Sequence, residues 1–311
     1  MIDDQDTVVA STPSKPGTLL LTQTIRSTRW VVTFSRRKPL GAIGGIITVI
    51  LFVLAILAPV IAPYDERDTH GDYVHASPGS PGPGAPFLLG ADALGRDVLS
   101  RVIVGARVSL YVGVGSVLIG ITAGFVLGIA STYAGGKVDM AFQRFVDALM
   151  ALPGLIIALA IMAVLGPSLN NVIIAIVIGM LAPVVRTIRS QVLTLKELDY
   201  VLAARAIGAS STRIVFWHIA PNCFATYLIM ATYYLGFAII IEASLSFLGV
   251  GSPPDVPSWG GMLTRASQEH LKTAPWVGIF PGLAIFVVVL GFNLLGDALR
   301  DIFDPKLRGR D

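Results

Sequence analysis

The chain has 311 residues, of which 54% are hydrophobic and only 14% are charged. A soluble domain usually carries about 25% charged residues, so this composition excludes a water-soluble domain and indicates a chain solvated by lipid. The net charge of +3 does not indicate nucleic-acid binding, because the basic residues lie in short clusters beside apolar runs, as in membrane proteins. The single cysteine, Cys223, excludes an internal disulfide framework and any multi-cysteine metal site.

The first segment of the chain, residues 1–38, is polar and ends in the basic residues Arg36, Arg37 and Lys38. We expect it to form a cytoplasmic tail. A signal peptide is the alternative, but the apolar run that follows is too long and begins too deep in the chain. Residues 39–106 are expected to contain a first transmembrane helix, an irregular outer loop rich in Pro and Gly, and a short interfacial helix.

The interfacial helix is predicted at residues 94–107. Its apolar residues fall on one side, and the polar residues Arg96, Asp97, Ser100 and Arg101 fall on the other. An amphipathic helix of this kind suits the membrane surface, where its polar side faces water.

Six apolar stretches reach or approach the roughly 20 residues that a membrane-spanning helix needs. Five of them form a predicted core within residues 107–300, which includes a cytoplasmic loop at 196–221, and residues 301–311 would form a cytoplasmic C-terminal tail. Placing both termini in the cytoplasm puts most of the 23 Lys and Arg residues on the inner side, as the positive-inside rule requires. The predicted fold is therefore an all-α, polytopic membrane protein with six transmembrane helices. The predicted spans are residues 40–62, 107–133, 142–165, 171–188, 222–248 and 276–297.

The loop between the fourth and fifth spans has the pattern of two short helices that meet at a corner. Asp199 can cap the first helix, and Gly208 can end it in a left-handed conformation. Ala203 and Ala204 would then be exposed beside the cation Arg205, and small side chains let the backbone of another protein approach closely. An ordinary helical hairpin loop explains the same pattern, and the residues alone leave both readings open.

Residues 200–221 resemble the cytoplasmic EAA loop of ABC importer permeases, which reads Glu-Ala-Ala, three residues, Gly, nine residues and Ile-x-Leu-Pro. The positions that match in register are Ala203, Ala204, Gly208 and Pro221. The positions that depart are Leu202 in place of Glu, His218 in place of Ile and Ala220 in place of Leu. The departures affect an ion pair that the family's Glu makes with its ATPase, but not the helix–Gly–helix shape.

Further motifs resemble the C-type permeases of dipeptide, oligopeptide and nickel importers, and the resemblance runs from about residue 38 to 308. These motifs are an outer segment at 89–101, Glu-Ala-Ser-Leu-Ser-Phe-Leu-Gly at 242–249, Pro-Ser-Trp-Gly at 257–260, and Phe-Asn-Leu-Leu-Gly-Asp at 292–297 followed by Arg-Asp at 300–301. The resemblance implies a MetI-like permease fold in the bacterial cell membrane.

The resemblance also implies a set of partners. They are a second homologous permease subunit, two ATPase subunits that bind ATP and magnesium, and an extracytoplasmic substrate-binding protein. In the family the EAA loop docks as a coupling helix on an ATPase subunit. Carried to this sequence, the coupling residues are Asp199, Tyr200, Ala203, Ala204, Arg205, Gly208 and Arg213. The chain itself has no phosphate-loop motif, since its only Gly-Lys pair is followed by Val138, so we expect no ATPase activity and no cofactor in this chain.

The second predicted span carries small residues at intervals of four, which predicts a close helix crossing, the main source of packing between helices in lipid. These residues are Ser116, Gly120, Gly124 and Gly128. A substrate contact is the alternative interpretation of the same pattern.

Three further residues are candidates for a pathway or gate. Glu242 lies well inside the fifth span, where an acidic group must face protein or water, so its role is either structural hydrogen bonding or gating. Pro153 and Pro183 interrupt the third and fourth spans and can kink a helix or shape a cavity. We expect no metal site, because the four histidines have no metal-ligand spacing; they are His70, His75, His218 and His270.

These observations together predict a permease subunit that moves peptides by alternating access, driven by its ATPase partners. Nickel or another small solute carried by the same subfamily is the alternative substrate. A self-sufficient secondary transporter or channel would require ion-coupling residues in the spans, which are nearly empty of charge apart from Glu242. A membrane scaffold that anchors an ATPase without a pore is a third alternative, and it predicts no substrate flux.

Overall fold

The computed structural model describes residues 38–253, 255–269 and 272–303, so most of each predicted tail lies outside the described residues. The described residues form a helical bundle, with a 3₁₀ turn at Gly71–Tyr73 and a π-helical turn at Val215–Ile219. The helices are α1 Pro39–Ile61, α2 Val98–Ala134, α3 Gly136–Met150, α4 Gly154–Leu165, α5 Leu169–Lys196, α6 Asp199–Ala206, α7 Ser211–Ile214, α8 Ala220–Phe247, α9 Trp259–Glu269 and α10 Trp276–Phe303.

Five helical stretches in the described residues are long and apolar enough to cross a membrane. They are α1, α2, α5, α10 and the continuous stretch Ser211–Phe247 that ends in α8. Helices α3 and α4 pass the same test only as a pair, and they bring the number to six if they form one broken span. The prediction of an all-α, polytopic membrane protein is confirmed.

The third predicted span, residues 142–165, is not one continuous helix. Helix α3 ends at Met150 and α4 begins at Gly154, and the two axes are bent by 86°. Pro153 occupies the position before α4 with an extended backbone, at ψ 132°. A proline also disfavours helical geometry in the residue before it, which explains why the break falls here. Pro183, in contrast, lies inside the unbroken helix α5.

The prediction of a separate interfacial helix at residues 94–107 is wrong. Helix α2 begins at Val98 and continues for 37 residues through the second span. Asp97 is its N-cap, and its carboxylate accepts a hydrogen bond from the backbone of Ser100 at 2.8 Å. The helix therefore starts at a cap that the sequence shows, but no break follows it before Ala134.

The polar residues of that segment are buried rather than solvated, because they satisfy one another. Asp92 accepts hydrogen bonds from the backbone of Leu94 at 2.9 Å and of Arg96 at 3.0 Å, which closes a tight turn. The guanidinium of Arg96 lies 2.6 Å from the Asp92 carboxylate, and that of Arg101 lies 4.0 Å away. Arg101 also donates to the carbonyl of Glu66 at 2.8 Å. This network fixes the loop to the start of α2.

The irregular outer loop was predicted at residues 64–90; in the structure the segment between α1 and α2, residues 62–97, contains it, and aromatic side chains hold it in place. The hydroxyl of Tyr64 accepts a hydrogen bond from the backbone of Ala85 at 2.7 Å, and its ring stacks on the buried Phe87 with centroids 5.3 Å apart. Trp276, at the start of α10, donates to the carbonyl of Ala91 at 3.3 Å. The loop therefore packs onto the helical bundle.

Polar contacts between helix termini define one end of the bundle, which we call the α6 end. Lys38 Nζ lies 2.6 Å from a carboxylate oxygen of Asp301, and Lys196 Nζ donates to the carbonyl of Thr132 at 3.1 Å. The start of α1 and the ends of α2, α5 and α10 therefore lie together, and α6 follows directly from α5. Helix α1 contacts α10 closely, since a Cβ atom on Gly44 would lie 2.6 Å from the carbonyl oxygen of Gly291.

Candidate functional site

Helix α6 is short and amphipathic, and one of its faces is buried against the bundle. Val201 is fully buried and Ala204 is 7% exposed, and both belong to the main hydrophobic core. On the other face, Tyr200 and Leu202 are 42% and 41% exposed, and Ala203 is exposed. The helix therefore rests on the bundle through Val201 and Ala204 and presents the other three residues outward.

Two expectations for this helix need correction. Ala203 and Ala204 were expected to form an exposed pair, but a helix turns by about 100° per residue and only Ala203 faces outward. Asp199 was expected to cap the helix, but Leu198 is the N-cap residue and Asp199 is the first helical residue, exposed in the first turn. An acidic residue in the first turn still interacts favourably with the helix dipole.

Gly208 ends α6 in the left-handed conformation that the sequence predicts, with φ of 81°. The backbone of Gly208 donates to the carbonyl of Arg205 at 3.0 Å, and that of Ala209 donates to the carbonyl of Ala204 at 3.0 Å. These two bonds form a Schellman motif, which satisfies the last carbonyls of the helix. The chain turns sharply here, so the corner between α6 and α7 is a defined backbone structure.

Helix α7 continues into α8 without a loop. Ser210 caps α7 by accepting a hydrogen bond from the backbone of Arg213 at 3.4 Å. The π-helical turn follows, in which the backbone of Ala220 donates to the carbonyl of Val215, and Pro221 then falls in the first turn of α8. Proline lacks an amide hydrogen, and a π turn is a common accommodation of such a lost helical bond. A displacement of the corner would therefore act directly on α8.

The exposed surface of this corner is apolar and basic. Ile207 is 86% exposed, and Arg205 and Arg213 are exposed beside it. Leu202 contributes a hydrocarbon side chain to the same outward surface. Burial raises the pKa of the Tyr200 phenol above its usual range, so this side chain stays neutral at physiological pH. The corner therefore offers van der Waals contact and cationic hydrogen-bond donors to a partner.

The small residues of the second span lie against α5. A Cβ atom on Gly124 would lie 2.5 Å from Cγ1 of Val184, and one on Gly128 would lie 3.0 Å from Cβ of Ile188. Gly120 faces Met180 in the same way, and Ser116 is fully buried. Met180, Val184 and Ile188 are themselves spaced by four, so the two helices cross along matching rows of residues.

Glu242 is fully buried near the end of α8 that lies away from α6. Its carboxylate accepts a hydrogen bond from Ser246 Oγ at 2.8 Å, and Ser246 Oγ also accepts one from the backbone of Ser252 at 3.1 Å. Ser252 Oγ lies 2.7 Å from Ser258 Oγ, just before α9. One oxygen of the carboxylate thus belongs to a chain of side chains that joins α8, the following loop and α9, while Oε2 is buried and has no hydrogen-bond partner among the described residues.

Charged pairs hold the α6 end of the bundle together. The guanidinium of Arg189 on α5 donates to the carboxylate of Asp139 on α3 at 2.7 Å, and that of Arg186 pairs with Asp147. Asp147 also lies 3.9 Å from Arg144. These pairs fix α3 to α5 on one side of the break at Pro153.

The candidate pathway residues are not all brought together. Pro183 lines a cavity of about 260 Å³, which also contacts Gly154 beside Pro153, whereas Glu242 lies elsewhere. Sequence reasoning missed the other polar and aromatic residues near this cavity. They are Tyr233, Tyr234 and Phe237, which line this cavity, and Thr187, Asn293, Asp297 and Arg300, which line an adjoining cavity. The interval of four between Gly179, Pro183 and Thr187 was the available signal, since it places all three on one side of α5.

The fold and the exposed corner define a class of protein: a polytopic α-helical membrane protein with a short helix–Gly–helix corner exposed at one end. Comparison with known families identifies the class further. Residues 117–309 match the family of binding-protein-dependent transport system inner membrane components, and residues 35–78 match the N-terminal transmembrane domain of oligopeptide transport permease C. The chain belongs to the family of binding-protein-dependent transport system inner membrane components.

Several relatives share most of their length with this chain. The di/tripeptide transport system permease protein of Pseudomonas aeruginosa (strain UCBPP-PA14) is 43% identical over 89% of this chain and 91% of its own length. The glutathione transport system permease protein of Pectobacterium atrosepticum is 40% identical over 88% and 89%. The dipeptide transport system permease protein of Alkalihalophilus pseudofirmus is 40% identical over 88% of each chain. The chain is therefore a multi-pass inner-membrane permease component of a binding-protein-dependent transport system.

Proposed function

We propose that this chain is a permease subunit of an ATP-driven importer that carries peptides across the membrane by alternating access. The exposed α6–Gly208–α7 corner is the observation that carries the proposal, because it offers a surface on which an ATPase subunit can bind. The relatives named above transport dipeptides, tripeptides or glutathione, which supports peptides as the substrate class. Family membership argues against a self-sufficient secondary transporter or channel and against a scaffold without a pore.

The partners follow from the same assignment. A second homologous permease subunit completes the pathway, two ATPase subunits bind ATP and magnesium, and an extracytoplasmic protein delivers the peptide. Both termini of this chain lie in the cytoplasm, which puts the α6 end on the side of the ATPase subunits. The basic residues near that end support this orientation through the positive-inside rule; examples are Lys137, Arg186, Arg189 and Arg205.

The mechanical step begins where an ATPase subunit contacts the outward face of α6. Tyr200, Leu202 and Ala203 form that face, and the buried pair Val201 and Ala204 transmits the force to the bundle. Because α7, the π turn and α8 are continuous, movement of the corner tilts α8. Helix α8 in turn carries the loop to α9 through the hydrogen bonds of Glu242 and Ser246. Closure of the ATPase subunits thereby changes whether the peptide pathway is open at the end of the bundle that lies away from α6.

The test is transport by the purified complex in proteoliposomes. Uptake of a labelled dipeptide should require the ATPase subunits, ATP and the substrate-binding protein together. Omission of any one of them should abolish uptake. Peptide uptake by this chain alone, without ATP, would contradict the proposal and favour a secondary transporter.

A further inference from the structure

A groove runs between α5 and α8 toward the α6 end of the bundle. Its upper part is the cavity of about 260 Å³ beside the break between α3 and α4, which Pro183, Tyr233, Tyr234 and Phe237 line. Its lower part is a second cavity of about 290 Å³. The two cavities share the lining residues Tyr233 and Tyr234, so they adjoin along α8, and we call the two together the groove.

The two helices that form the walls present regular rows of residues to the groove. Gly179, Pro183 and Thr187 follow one another at intervals of four along α5. On α8, Tyr233 and Tyr234 pack edge to face, with centroids 5.3 Å apart. Tyr233 is 56% exposed. One side of the groove is therefore the exposed aromatic surface of α8, and the other is the row of residues on α5.

The lower cavity differs from the upper one in the side chains that line it. Thr187, Asn293, Asp297 and Arg300 line it together with Tyr233, whereas the upper cavity is lined mainly by apolar side chains. Asp297 and Arg300 lie one helical turn apart on α10, yet neither has an ion-pair partner among the described residues. The lower cavity thus contains an exposed carboxylate and an exposed guanidinium that are both available.

The neighbouring charged residues already have other partners and do not pair with Asp297 or Arg300. Asp301 is already paired with Lys38 at 2.6 Å, and Arg186 on α5 is paired with Asp147. Charged side chains near the end of a membrane helix reach the interface at little cost, so Asp297 and Arg300 can stay charged near the end of α10. Asp297 and Arg300 line a cavity whose other lining residues include Thr187, Tyr233 and Asn293.

We propose that this groove is the surface along which a peptide leaves the membrane, and that Asp297 and Arg300 contact its charged termini. The inference rests on the peptide function proposed above and adds residues to it. A peptide with free ends carries an ammonium group, which a carboxylate binds, and a carboxylate, which a guanidinium binds in a bidentate manner. The amide of Asn293 and the hydroxyls of Thr187 and Tyr233 complement the backbone amides between them.

Proximity to the passing peptide can be measured because the chain has a single cysteine. Cys223→Ala gives a cysteine-free subunit, into which Asn293→Cys is introduced in the groove and Val287→Cys, exposed on the same helix but outside both cavities, serves as the control. The probe is a tripeptide with free termini that carries a bromoacetyl group on a lysine side chain. It is added with binding protein and ATP to the complete complex in proteoliposomes. Labelling of Asn293→Cys that depends on ATP, with none at Val287→Cys, supports the groove.

The charged residues are tested in the same system by Asp297→Asn and Arg300→Gln. Each should lower uptake of the unmodified tripeptide about tenfold at equal amounts of assembled complex, the loss expected for one charge-assisted hydrogen bond. Unchanged uptake in both variants overturns the assignment of the termini.

The remaining outcomes separate the groove from the function. If Asn293→Cys is not labelled but a bifunctional reagent joins it to the second permease subunit, the groove is a subunit interface and the inference fails, while peptide uptake upholds the proposed function. If the complex that contains the cysteine-free subunit moves another solute but no peptide, the proposed function fails and the groove proposal fails with it.

Discussion

The crossing of α2 and α5 makes a quantitative prediction at Gly124. A Cβ atom at this position would lie 2.5 Å from Cγ1 and 2.8 Å from Cβ of Val184, whereas carbon atoms in contact are normally about 3.5–4.0 Å apart. Val184 is fully buried, so it cannot swing into open space. Gly124→Ala therefore forces the two helices apart by about 1 Å, and overpacking of this kind costs about 1–3 kcal/mol.

A compensating change makes the prediction specific. Val184→Ala alone should destabilise the protein because it leaves a cavity beside Gly124. The double variant should be more stable than the sum of the two single effects, since the added methyl group fills the space that Val184 has vacated. We expect a favourable interaction energy of about 1 kcal/mol or more, within the range found for residues in contact.

The assay is unfolding of the purified subunit in detergent micelles with increasing SDS, followed by circular dichroism. Gly45→Ala on α1 is the matched control, because a Cβ atom there would meet nothing closer than 4.0 Å. This control should change the free energy of unfolding little. Additivity of Gly124→Ala and Val184→Ala within about 0.5 kcal/mol would refute the close crossing.

Three further substitutions test other parts of the structure. Gly208→Val should destabilise the corner by on the order of 1 kcal/mol or more because a β-branched residue is strained at φ 81°, and Gly208→Asn should cost less; equal melting temperatures for both would contradict the left-handed cap. Glu242→Gln should retain most peptide uptake because the amide still accepts from Ser246, while Glu242→Leu should lose it; equal, complete loss at normal membrane levels would assign a role to the charge itself. Asp92→Ala should lower the free energy of unfolding by about 3–5 kcal/mol because it leaves the buried Arg96 without its carboxylate, and an unchanged denaturation midpoint would argue against that buried pair.

The features that local sequence patterns dictate could be predicted. Apolar runs of sufficient length locate the spans, and Gly208 marks the end of α6 because only glycine adopts a positive φ at little cost. The interval of four in the second span predicts a close crossing, since small residues on one helical face admit a neighbouring backbone. None of these inferences needs knowledge of which helix is the neighbour.

The features that depend on tertiary contacts could not be predicted. The amphipathic pattern around Arg96 and Arg101 is typical of a surface helix, and only the turn built on Asp92 explains how these guanidiniums come to be buried. The pattern Ala203-Ala204 does not reveal which alanine faces the bundle, because that depends on how α6 packs against α5 and α7. A single proline signal likewise does not separate Pro153, at a break of 86°, from Pro183, in a continuous helix.

The groove was missed for a related reason. Tyr233 on α8, Thr187 on α5 and Asp297 on α10 are far apart in the sequence, and the motif at 292–297 that contains Asp297 does not show which helices lie beside it. They acquire a common role only where three helices meet. Lys38, on α1's side of the bundle, pairs with Asp301, one helical turn beyond Asp297, and the sequence does not show which of these carboxylates it meets.

The central claim is that the outward face of α6 couples this subunit to an ATPase, and Ala203→Trp tests it most directly. Ala203 is exposed and lies outside the membrane spans, so the variant should reach the membrane at normal levels. A substitution of the buried Ala204 would disturb folding as well as coupling, so its effects could not be separated. The matched control is Ala141→Trp, on the exposed side of α3. The measurement is ATP hydrolysis by the complete complex in proteoliposomes, stimulated by binding protein and peptide. We expect Ala203→Trp to abolish both the stimulation of ATP hydrolysis and the co-purification of the ATPase subunits, and Ala141→Trp to preserve both. Stimulated hydrolysis at the unaltered rate in Ala203→Trp would contradict coupling through the outward face of α6.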